Sequence, residues 1–141
     1  MITMAPPRPP RLTRSHGCQV RLPAEPATAA EARDYVRAVL AAWEVPVDAD
    51  MAVLLASDLV TNAILHQADG TITLAITGSP EQLRVDVYGT ARHLPPRGPL
   101  PAEVETGPGL ALVMTLADQW GWYPTPMGRA VYFTLAFPPE P

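Results

Sequence analysis

Two polar side chains interrupt an apolar segment in a way that could serve chemistry. Between Met51 and Leu65, Asp58 and Asn62 stand four residues apart among leucines, valines and alanines. On a helix such a pair shares one face, one turn apart. With Asp58 set at zero on a wheel of about 100° per residue, Met51, Leu54, Leu55, Asn62 and Leu65 fall within about 60° of it, and Val53, Val60 and Ile64 lie on the far side. The helix is therefore apolar nearly all round and expected to be buried on most faces. A carboxylate in such a stripe is costly unless it has partners. A carboxylate and an amide aimed at one point could hold a metal–phosphate group or orient a water. They could equally be a structural hydrogen-bonded pair. His66, one turn further, is open in the same way, as a packing or capping histidine or as a ligand. A second candidate is Gly107-Pro108-Gly109 ahead of the apolar run beginning at Leu110. Glycines let a backbone approach a ligand, and free N–H groups at a helix start favour phosphate. Proline suits the first helical turn. A plain loop-to-helix turn needs the same residues.

The elements that must position these groups follow from periodicity and turn chemistry. Residues 1–15 carry no apolar period and are expected to be a disordered tail, and 138–141 a short C-terminal one. Cys18–Leu22 alternates as a short edge strand. Thr28 with Glu31 forms a capping-box pattern ahead of Tyr35, Val36, Val39, Leu40 and Trp43 at helical spacing. Pro46 ends that helix, and Asp48 or Asp50 opens a second one running to about Gln67. Asp69-Gly70 is a turn signal. Ile72, Leu74 and Ile76 alternate, as do Leu83, Val85 and Val87, with Gly78-Ser79-Pro80 between them, which predicts a hairpin. A proline-rich stretch over 90–106 reads as an ordered or gated loop. A third helix is expected from Leu110 to about Gln119, then strands over 121–123 and 130–137 joined by a turn at Met127-Gly128. Strands and helices segregated in this order predict an α+β domain, mostly antiparallel, with helices on one face of the sheet.

Composition narrows the class. The 141 residues suit one domain, and 48% apolar content is enough for a core that buries about two-thirds of the unfolded surface. A net charge of −4 with scattered basic residues argues against nucleic acid or an anionic membrane as partner. One cysteine, Cys18, cannot form an internal disulfide, and no apolar run has the length of a signal or a span, so a reduced cytoplasmic setting is expected.

Taken together, the motifs resemble a known family. Ser57-Asp58-Leu59-Val60-Thr61-Asn62-Ala63-Ile64-Leu65-His66 resembles the N-box of the gyrase/histidine-kinase/MutL (GHKL) ATPase superfamily, closest to the anti-sigma-factor serine kinase branch with its Glu-Leu-Val-Thr-Asn-Ala-x-x-His string. Gly107-Pro108-Gly109-Leu110-Ala111-Leu112-Val113 resembles that branch's Gly-Arg-Gly-Leu-x-Leu-Val box. Leu116–Gly121 and Gly128–Phe133 resemble its closing Ala-Asp-x-Trp-Gly and Gly-Lys-Thr-Val-Trp-Phe segments. The likeness spans about residues 16–137. It implies the Bergerat-type α/β sandwich and a site for ATP and magnesium. Asn62 would then hold the magnesium, Asp58 would stand at the general-base position, and Gly107, Gly109 and Leu110, with His66, would belong to the nucleotide site. It also implies a protein partner, a sigma factor or an anti-sigma-factor antagonist, and the possibility of a homodimer.

Some positions depart from the family pattern. Asp58 replaces the usual Glu and is one methylene shorter, about 1.5 Å of reach, where catalysis tolerates little misplacement. The pattern Leu-x-Val-x-Val-x-Asp falls on Leu83 to Gly89, so the adenine-reading carboxylate position is Gly89, and the small residue that follows in that box is Ala91. Asp86 has the opposite strand parity and is expected on the other face. Tyr88 could fill the emptied space. The family's adenine-side threonine falls on Ala130. The expectation is an anti-sigma-factor-like regulator with a serine/threonine-kinase-like fold, a degenerate nucleotide site and impaired catalysis. The alternative is an active ATP- and magnesium-dependent protein serine kinase. A module for a different small ligand in a remodelled pocket is a third reading.

Overall fold

The computed structural model describes residues 15–65, 70–89, 110–126 and 128–138. The expected His66, Gly107 and Gly109 site positions, Ala91, and the 90–106 loop lie outside them. Five strands, β1 (His16–Pro23), β2 (Thr71–Gly78), β3 (Gln82–Gly89), β4 (Gln119–Thr125) and β5 (Gly128–Ala136), form one sheet in the order β1-β2-β3-β5-β4. Every pairing is antiparallel. The described residues also form three helices, α1 (Thr28–Trp43), α2 (Ala49–Leu65) and α3 (Ala111–Leu116).

Alternation decides which side the helices cover. Ile72, Leu74 and Ile76 of β2, Leu83, Val85 and Val87 of β3, and Val131, Phe133 and Leu135 of β5 are all buried. They stand in register across the sheet, as in Leu74↔Val87↔Val131 and Ile76↔Val85↔Phe133. α2 packs against β2, β3 and β5, and α1 and α3 pack on α2. Leu55, Leu59 and Val60 bring α2 into this core, and Val36 and Leu40 bring α1. The antiparallel sheet with helices on one face is the architecture expected. α2 is less enclosed than its sequence suggested, because Leu54 and Leu65 on the Asp58 stripe are exposed.

Several boundaries differ for local reasons. The Thr28–Glu31 capping box does not form. Ala27 is the cap residue and is already helical, and no side chain caps the helix. Thr28, fully buried, instead donates its hydroxyl to the Pro23 carbonyl at 2.6 Å, tying the end of β1 to the start of α1. α1 stops at Glu44, which adopts the left-handed conformation while the Glu44 and Val45 N–H groups close on Ala41 and Leu40. Asp48 caps α2, accepting the Met51 N–H at 3.2 Å. α3 ends at Leu116, well before Gln119, because Ala117 turns extended and the Asp118 N–H pairs with the Thr134 carbonyl.

Thr28→Val should destabilise the protein by about 0.5–1.5 kcal/mol, the net worth of the lost hydrogen bond, since the Pro23 carbonyl still accepts the Glu25 N–H. Glu31→Gln, at an exposed first-turn position, should change stability by no more than about 0.5 kcal/mol. Urea unfolding of the two variants checks the contrast. A capping box would make the two costs similar.

Candidate functional site

α2 carries Asp58 and Asn62 on adjacent turns, and its contact with α3 brings the start of that helix to Asp58. Asn62 is buried. The Asp58 carboxylate takes a hydrogen bond from the Leu112 backbone N–H in the first turn of α3. Its Oδ2 is buried and has no hydrogen-bond partner among the described residues. Burial pushes the Asp58 carboxyl above its usual range, and the Leu112 N–H pulls it part of the way back. Leu110, immediately before α3, is fully buried and anchors that helix in the core, its carbonyl accepting the Met114 N–H. The neighbouring Ser57 hydroxyl accepts from Arg33 at 3.2 Å, a link between α2 and α1.

The strand wall facing α2 ends at Gly89, whose register partner Ile72 is a core residue. Gly89 therefore presents no side chain where the pattern calls for a carboxylate. Asp86 points away. Arg84 grips it through two bonds, Nε to Oδ1 at 2.9 Å and Nη2 to Oδ2 at 3.0 Å, and the Tyr123 hydroxyl donates to Oδ2 at 2.7 Å. The Arg84 guanidinium also lies 4.1 Å from the centre of the Tyr132 ring. Burial, with the Asp86 carboxylate adding to it, pushes the Tyr123 hydroxyl up to about 12. Tyr88 shares this outer face, donating to Gln19 at 3.3 Å, so it does not fill the space beside Gly89.

The placement expected for Ala130 is corrected by the register. Ala130 pairs with Tyr88 on one side and Tyr123 on the other, which puts it, fully buried, on the face away from α2. Strand parity gives the α2-facing place to Arg129, in phase with Val131, Phe133 and Leu135. Arg129 is buried, with its guanidinium 5.8 Å from the centre of the Trp122 ring. Beyond the Tyr88–Ala130 pair, the next positions are Gly89 on β3 and Arg129 on β5. Motif alignment alone passes over Arg129, although its spacing of two from the buried 131, 133 and 135 marks it.

The residues present fit the two ends of a magnesium nucleotide unequally. At the phosphate and metal end, the Asn62 amide and the unpartnered Asp58 oxygen are suitable groups for a metal or its water. Among the described residues, no group of three or more His, Cys, Asp or Glu forms a further metal site. At the base end, the amino group of adenine needs an acceptor, whereas the side chains there are none at Gly89 and a donor-only guanidinium at Arg129.

Asp58 offers a pH test. Its folded-state value lies above its ordinary 3.8, so ionising it opposes folding. The favourable protonated state is lost as pH rises through the folded value. Asp58→Asn keeps an acceptor for Leu112 without the charge. It should therefore raise the urea midpoint at pH 7 and leave it little changed below the ordinary carboxylate value. Equal midpoints at pH 7 would contradict a desolvated carboxylate.

Comparison with known proteins agrees with this architecture. A search of curated proteins found no match. A family model, the histidine kinase-like ATPase domain, matches residues 22–135, which include the three described helices, β2, β3 and β4, all of β5 but Ala136, and the end of β1. This chain belongs to the histidine kinase-like ATPase domain family.

Proposed function

We propose that this chain is a regulatory member of its family that acts by binding a protein partner, a sigma factor or an anti-sigma-factor antagonist, with ATP binding weak or lost. The observation that carries the reading is the division of β3. Its one carboxylate, Asp86, is locked by Arg84 and Tyr123 on the outer face, and Gly89 stands on the inner one. An adenine amino group held without its charged acceptor loses about 1.5–3 kcal/mol, or roughly ten- to a hundredfold in affinity. Exposed apolar side chains on α2 and α3, among them Leu54, Leu65, Leu112 and Met114, favour a protein partner. The resemblance of the N-box and glycine-box motifs to the anti-sigma-factor kinase branch names the partner class.

An active protein serine kinase is the second reading. Buried Asn62 and the unpartnered Asp58 oxygen favour it, because both suit phosphate chemistry.

Calorimetric titration with ATP and magnesium separates the two. The regulatory reading expects no saturable binding at micromolar ATP. Gly89 lies in extended strand backbone with no positive φ, so an aspartate is compatible with its conformation. Gly89→Asp should tighten ATP binding by about ten- to a hundredfold. Micromolar binding by the unmodified protein, abolished by Asn62→Ala, would overturn the reading in favour of the kinase.

A further inference from the structure

At the other end of the sheet from Gly89, a hollow of about 310 Å³ opens between the start of α2, the end of α3 and the end of β5. Val47, Met51, Leu116 and Leu135 give it apolar walls, and Asp48 and Asp118 add two carboxylates. Among the described residues, no lysine or arginine lines it and neither aspartate has an ion pair. Both carboxylates also hold the fold. Asp48 accepts the Met51 N–H, and Asp118 Oδ2 accepts the Ala136 N–H at 2.6 Å. Leu116, 42% exposed, and Asp118 still face solvent.

We propose that this hollow is the docking site for the chain's own N-terminal segment, residues 1–14. Charge is the first argument. The segment carries Arg8, Arg11 and Arg14 and no acidic residue; the whole chain is −4, so the remainder is −7. Its Met1, Ile2, Met4 and Leu12 suit apolar walls. Pro6, Pro7, Pro9 and Pro10 favour a stiff, extended backbone that loses little entropy on docking.

Placement is the second argument. His16 opens β1 in the cross-strand row His16↔Gly78↔Leu83↔Leu135, and Leu135 lines the hollow. Three strand spacings of about 4.8 Å put the two ends of that row roughly 14 Å apart. Fourteen extended residues span about 45 Å, enough to reach and cross the hollow. The His16 ring also packs against Trp43, at 5.8 Å between centres. Trp43 ends α1, and the connection after it supplies Val47 and Asp48. β1, which follows the segment, thus begins beside the loop that forms one wall of the hollow.

A paramagnetic label on the full chain tests this. The label is carried by Ala5→Cys, with Cys18→Ser so that it has a single attachment point. It should broaden the amide signals of Val47, Met51, Leu116 and Ala136 several-fold more than those of Thr125 and Gly128 at the opposite end. Replacing Arg8, Arg11 and Arg14 with serine, all before the first strand, should abolish the difference. So should Asp48→Asn with Asp118→Asn, which keeps both backbone acceptors and a good helix cap. Equal broadening at both ends, or a pattern that survives both sets of charge variants, would overturn the proposal. So would broadening seen only between a labelled and an unlabelled copy, which would assign the hollow to a second molecule.

Discussion

The pleat of β3 is the constraint on which the rest of the molecule depends. Successive side chains on a strand point to opposite faces, and burial of one face fixes which set is which. Leu83, Val85 and Val87 are committed to the core under α2. Arg84, Asp86 and Tyr88 are thereby committed to the outer face, and Gly89 to the inner one. No small adjustment exchanges them, since a one-residue slip would turn three apolar side chains out of the core and an ion pair into it. The chemistry of the wall beside α2 is therefore decided by the same alternation that builds the core.

That alternation leaves a site with unlike ends. Near α3, Asp58 is desolvated, takes one backbone N–H and keeps one oxygen without a partner among the described residues. A buried acceptor in that state favours a donor, a metal or a proton. At the strand end, the inner face offers a glycine and a buried guanidinium. Meanwhile the outer face uses its carboxylate structurally, with Arg84, Tyr123 and Tyr132 closing over Asp86. The same residue types that could have read a base have been spent on holding β3, β4 and β5 together.

Much of this was legible in the sequence, and the failures have local causes. The β2–β3 hairpin was visible because alternation and the Gly78-Ser79-Pro80 turn agree. The element order followed from caps and breakers, and the opposite facing of Asp86 and Gly89 followed from parity alone. Thr28 misled because a nearby carbonyl, that of Pro23, outcompetes the helix's own N–H groups for its side chain, and that carbonyl is brought there by tertiary structure. The early end of α3 depends on Asp118 bonding to β5, a long-range contact that no local signal announces. Ala130 was misplaced by reading motif position instead of strand phase. Counting back in twos from Phe133 would have reached Arg129.

Comparing magnesium ATP with magnesium and inorganic triphosphate most directly tests the proposal that this wall does not read a base. Both carry the phosphate chain, and only one carries adenine. If the inner face has no acceptor for the base, the two should bind the unmodified protein with dissociation constants within about threefold of each other. ATP binding more than about thirtyfold tighter would mean that adenine is recognised there, contradicting a degraded base site.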